Sequence, residues 1–181
     1  MKRRIELIAA PPSIQPGGYV RRAYADHTRA LTPWADVSVE SYGDGWHVFV
    51  AWPCPASVIE TKHDVDLFAD AAAILAPSSP DAPMLTMGSE AAGVDGWLWR
   101  ADREHGMRVS AHGLGSVERF EAPAGTAMTA AWSEQRWGVR FELAAWDSLS
   151  KQKQIGIAVW RGAAAERGGL KSVSPNWISI R

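Results

Sequence analysis

The chain has 181 residues, a length that suits one domain with room for a substantial core. Nineteen Lys and Arg against twenty Asp and Glu leave a net charge of -1, which argues against a nucleic-acid binder. No apolar run reaches the ~18 residues of a membrane-crossing helix. One cysteine, Cys54, excludes an internal disulfide, a Cys-rich zinc site and a self-contained iron–sulfur cluster.

The N-terminus, Met1-Lys2-Arg3-Arg4, is basic like the start of a signal peptide. The apolar stretch behind it is short, holds Glu6 and stops at Pro11-Pro12, so no signal peptide is read here. Apolar alternation then marks a series of strands. Ile5, Leu7 and Ala9 alternate first, then Val37 and Val39, then Trp46, Val48, Val50 and Trp52. Trp97 and Trp99 share a face, with Leu98 and Arg100 on the other. Met107, Val109 and Ala111 follow, then Trp137, Val139, Phe141 and Leu143, with Arg136, Gly138, Arg140 and Glu142 facing out. Ile155, Ile157 and Val159 precede a last alternation over Trp177–Ile180. Turns are marked at Gly43-Asp44-Gly45, Pro53-Cys54-Pro55, Asp95-Gly96, Pro123-Ala124-Gly125 and Gly168-Gly169. About eight strands without a long amphipathic helix predict an all-β, single-domain antiparallel β-sandwich or a barrel. The Ala-rich stretch from Asp66 to Ala76 is ambiguous: propensity favours a helix, whereas a short apolar run ending at Pro77 also fits a buried strand.

Hydrolytic chemistry finds little footing. Gly113-Leu114-Gly115-Ser116 lacks the spacing of a nucleophile elbow. The five His, at 27, 47, 63, 105 and 112, form no metal-binding pair by spacing. His63-Asp64-Val65-Asp66 is the densest polar cluster and reads as a surface turn. Ten Trp would suit a carbohydrate platform, but Trp46, Trp97, Trp99 and Trp137 occupy strand positions where core packing is the default. Cys54, between two prolines, reads as an inert thiol. Two further positions stand out together. Met87 sits beside Gly88 in a loop before the Trp97 strand, and Lys171 follows the Gly168-Gly169 turn. A thioether is a soft ligand, and an amine is a good nitrogen ligand once deprotonated.

Three stretches carry a resemblance to a known family. They are Asp66–Pro77; Met87-Gly88 with Val94-Asp95-Gly96-Trp97-Leu98-Trp99-Arg100-Ala101-Asp102; and Ile157-Ala158-Val159-Trp160 with Glu166 to Trp177. From about Trp34 to the end, the chain resembles the haem b-binding gamma subunits of the ethylbenzene dehydrogenase and dimethylsulfide dehydrogenase group of molybdoenzymes. Chlorate and selenate reductases carry the same domain. The resemblance implies a β-sandwich over residues 1–181 holding one haem b, with residues 1–30 as an N-terminal strand and partner-facing segment. It implies Met87 and Lys171 as axial ligands, and it favours a strand for the Ala-rich stretch. It further implies a non-catalytic electron-transfer subunit of a heterotrimer. Its partners would be an iron–sulfur beta subunit, a molybdopterin alpha subunit and a soluble carrier such as a c-type cytochrome. The compartment would be the periplasm, reached alongside a signal-bearing partner. The segment Pro53-Cys54-Pro55-Ala56 is compressed relative to the family, and Arg100 stands where Lys is frequent. The Trp-rich interior is expected to form the porphyrin slot, with Arg100, Arg103, Arg108 or Lys62 near its propionates. The alternative from another class is a carbohydrate- or small-ligand-binding sandwich without metal.

Overall fold

The computed structural model describes residues 1–60 and 67–181. In chain order the elements are β1 (Lys2–Glu6), β2 (Ile8–Ala9), α1 (Gly18–Ala23), β3 (Trp34–Tyr42), β4 (Gly45–Pro53), β5 (Ala71–Pro77) and β6 (Val94–Arg100). Then come β7 (Met107–Ala111), β8 (Glu118–Glu121), β9 (Ala127–Ser133), β10 (Arg136–Leu143), α2 (Asp147–Gln152), β11 (Gln154–Trp160), β12 (Ser172–Val173) and β13 (Ile178–Ser179). They form two antiparallel sheets. One runs β1-β3-β4-β10-β9; the other runs β2-β12-β11-β5-β6-β7-β8, with β13 also paired to β11.

The alternation sets the inner faces. In β4 and β10, Val48 lies opposite Phe141, Val50 opposite Val139 and Trp52 opposite Trp137, and all six are buried. Residues paired in antiparallel register project to the same face, so these pairs line one wall of the core. The facing wall comes from Ile74, Trp97, Trp99, Ile155, Ile157 and Val159 of the second sheet. The Trp99 ring centroid lies 4.9 Å from Trp137 and 6.2 Å from Trp52 across the gap, so the two sheets are a packed sandwich.

Of the Ala-rich stretch, the part from Ala71 on is strand β5, with every residue buried between β6 and β11. Residues 67–70 precede the strand, and Asp66 lies outside the described residues. Helix propensity loses because both faces of this strand are covered, a pattern that reads as a continuous apolar run. Strands β8 and β9 escape the alternation signal because they are sheet edges with little buried surface. The closing alternation supplies a two-residue strand, and Lys171 stands immediately before β12.

Asp70 is the polar hinge of the fold. It is 0 % exposed, just before β5. Its Oδ2 accepts from the Val58 amide at 2.7 Å and the Trp137 indole at 2.8 Å, while Oδ1 accepts from the Gly162 amide at 2.7 Å. A buried carboxylate is stable only when so satisfied. Here it ties β10 of one sheet to the loop that follows β11 of the other. Cys54 is buried beside it, its thiol 3.7 Å from Asp70 Oδ2. Burial, then the Asp70 charge, pushes that thiol from 9.0 up to about 12. The thiol form is therefore favoured in the fold. This contribution is present below pH 9 and is lost as pH rises toward 12. At pH 8 an alkylating reagent should leave Cys54 of the folded chain untouched and modify it fully in denaturant. Rapid modification without denaturant, read by intact mass, would contradict this environment.

Candidate cofactor site

The cavity lies outside the sandwich, on the outer face of the second sheet. Its floor is set by the alternation in β5, where Ala72, Ile74 and Ala76 point into the core while Ala71, Ala73 and Leu75 point away from it. Leu98 of β6, Val109 of β7 and Ala158 of β11 extend this floor. Small side chains keep it flat. Two walls rise over it, the turn carrying Met87 and the segment 166–171, enclosing about 360 Å³. That is within the range of small-molecule and cofactor sites.

This placement corrects the expected porphyrin slot. The sandwich interior is filled: Trp46, Trp52, Trp97, Trp99, Trp137 and Trp146 are buried, several ring against ring. Among the described residues, the tryptophan that lines the cavity is Trp160. The same burial takes six of the ten tryptophans out of reach of a sugar ligand, which weakens the carbohydrate alternative.

Met87 is held by its turn. The Gly88 amide donates to the Pro83 carbonyl at 2.8 Å, and the Met87 amide to the Met84 carbonyl at 3.0 Å. These are the paired bonds of a Schellman turn, whose left-handed position is usually glycine. Here that position is Met87, at φ 57°, followed by Gly88 at φ 85°. A non-glycine residue there costs about 1–2 kcal/mol. The Gly113 amide donates to the Met87 carbonyl at 3.0 Å and fixes the turn against the loop after β7. Nearby Met84 has a different fate. It is 8 % exposed and packs across Gly156 beside Trp177, where a Cβ on Gly156 would collide with its sulfur.

Lys171 comes from the opposite wall. Its carbonyl accepts from the Ala10 amide at 2.9 Å, which anchors the backbone at the start of β12. Its side chain reaches inward, and Nζ lies 3.9 Å from Met87 Sδ. The amine also sits 5.0 Å from the Trp160 ring centre. Burial, then the charge of Arg119, lowers its pKa from 10.5 to about 8. Glu166, in the same lining, is 6 % exposed and accepts from the Arg161 amide at 2.7 Å; burial raises its pKa to about 7.

The arrangement is thus two electron-pair donors, one thioether and one readily deprotonated amine, converging from opposite walls over an apolar floor. Sequence reasoning identified both donors and named Arg100, but missed three further polar groups. Arg119, Arg167 and Glu166 line the cavity from exposed or loop positions that carry no periodic signal. Arg100 also lines it, tied to Asp102 by bonds of 2.9 and 2.7 Å. Arg108 does not; it faces Asp95 at 3.8 Å. Arg103 lies in the turn after β6, outside the lining. Lys62 and the cluster His63-Asp64-Val65-Asp66 fall outside the described residues. Among the described residues, no three His, Cys, Asp or Glu group together to hold a metal.

No family model matches the chain. Comparison with individual proteins is more informative. The chain is 29% identical over 197 aligned residues to the dimethylsulfide dehydrogenase subunit gamma of Rhodovulum sulfidophilum, covering 98% of this chain and 69% of that protein. It is 36% identical over 120 residues to a protein of Haloferax mediterranei provisionally named a respiratory nitrate reductase heme subunit. That match covers 59% of this chain and 41% of the relative. The chain is therefore similar to one protein named a dehydrogenase gamma subunit and to another named a reductase heme subunit. The similarity to the Rhodovulum gamma subunit takes in nearly the whole chain.

Proposed function

We propose that this chain is the haem b-binding, electron-transfer subunit of a molybdenum-containing dehydrogenase or reductase, with Met87 and Lys171 as the axial ligands. The observation that carries the reading is the approach of the Lys171 amine to the Met87 sulfur, 3.9 Å apart though 84 residues separate them in sequence. The donor set suits a porphyrin iron, which would supply a one-electron ferric/ferrous couple when bound there. Met87 contributes a soft thioether, a weak donor that favours the reduced metal. Lys171 must offer a free electron pair, and burial prepares it: at pH 8 about half of such an amine is already neutral. The alanine floor is apolar and leaves room for a flat ring. One cysteine cannot hold iron–sulfur clusters, so these and the molybdenum centre would belong to partner subunits. A soluble carrier would exchange electrons with the complex. The periplasmic location is part of the same proposal and rests on the resemblance.

The test is a visible spectrum of the chain purified from haem-replete cells. We expect a Soret band with sharp α and β bands on reduction and a low-spin ferric form. A protein that absorbs at 280 nm alone, and stays so after addition of haemin, would reject the reading.

A further inference from the structure

Among the described residues, two guanidinium groups that line the cavity form no ion pair. Arg119 stands on β8 opposite Val109, on the same outer face as the floor. Among the described residues it forms no ion pair or hydrogen bond. It lines the same cavity as Lys171. Arg167, on the opposite wall, lies 4.5 Å over the Phe68 ring and likewise pairs with no carboxylate. The other charges are already committed. Arg100 is closed by both oxygens of Asp102, and Glu166 turns to the Arg161 amide.

An apolar floor with an uncompensated cationic rim selects a ligand of matching polarity: flat and apolar, with carboxylates on its edge. We infer that Arg119 and Arg167 bind the carboxylates of the ligand, which for a haem are the propionates. This rests on the haem reading above and adds to it the residues that recognise the anionic edge. Both side chains are exposed, so the carboxylates sit at the mouth of the cavity and the apolar ring inside it.

The experiment titrates the full-length chain, freed of haem, with haemin and with haemin dimethyl ester, following the Soret band. The ester keeps the ring and the iron but has no charged carboxylates. In the unmodified chain the ester should bind at least about tenfold more weakly. Arg119→Gln and Arg167→Gln should each weaken haemin binding by about tenfold, leave ester binding unchanged and retain low-spin bands at saturation. Arg103→Gln, outside the lining, should change neither titration. Equal binding of haemin and ester, or arginine variants that weaken both alike, would overturn the inference while the haem reading stands. Binding of neither compound would remove both.

Discussion

Replacing Lys171 by alanine is expected to strip the haem from the chain during purification. The substitution removes the nitrogen donor and leaves the weaker thioether alone, so the ratio of Soret to 280 nm absorbance should collapse. Met87→Ala should be milder. Haem stays on Lys171, water or a vacant position replaces sulfur, and the ferric spectrum turns high-spin with a lower reduction potential. Lys171→His should restore low-spin binding in part, limited by its shorter reach. Met84→Ala is the comparison, because Met84 belongs to the same turn but packs against Gly156 and Trp177. That variant should lose some stability and keep a low-spin spectrum. Unaltered low-spin spectra in both Met87→Ala and Lys171→Ala would reject the ligand pair even in a haem-bearing protein.

Phe141→Asp is expected to cost more than about 3 kcal/mol, enough to unfold many domains of this size. Phe141 is 0 % exposed, opposite Val48 on one side and Met128 on the other, in the middle of the wall that faces Trp97 and Ile157. A carboxylate there has no partner and no water. Its neighbour Arg140 points to solvent, so Arg140→Asp should stay within about 0.5 kcal/mol. Chemical denaturation of the two variants against the parent measures both. Equal losses would mean that the inner face of β10 is misassigned.

The sandwich was legible wherever one face of a strand is buried and the other is wet. Trp46 to Trp52 and Trp137 to Leu143 announce themselves by alternation and are found paired in the same register. The signal fades at both extremes. In β5 both faces are covered, so no alternation survives and alanine's helix propensity misleads. In β8 and β9 little is covered, and Glu118–Glu121 and Ala127–Ser133 read as loop. Asp70 gave no local sign, because its donors come from Val58, Trp137 and Gly162, far apart in the chain. For the site, Met87 and Lys171 were found through resemblance, since a lone Met and a lone Lys are ordinary residues. The location was misjudged for a physical reason. Many tryptophans suggest a slot for a flat ring, but here they are large enough to fill the interior, and the cavity lies instead over the outer alanine face of β5.

The turn at Met87 sets foldability against function at a single position. Its left-handed backbone suits glycine, so Met87→Gly would relax the turn by about 1 kcal/mol while deleting the sulfur. Selection for stability alone would therefore drive this position toward glycine and erase the donor. Under the haem proposal, a methionine held at such a place marks what the cavity is kept for, and in a relative the loss of methionine at the corresponding turn would signal that its cavity has been released from duty before any strand of the sandwich had changed.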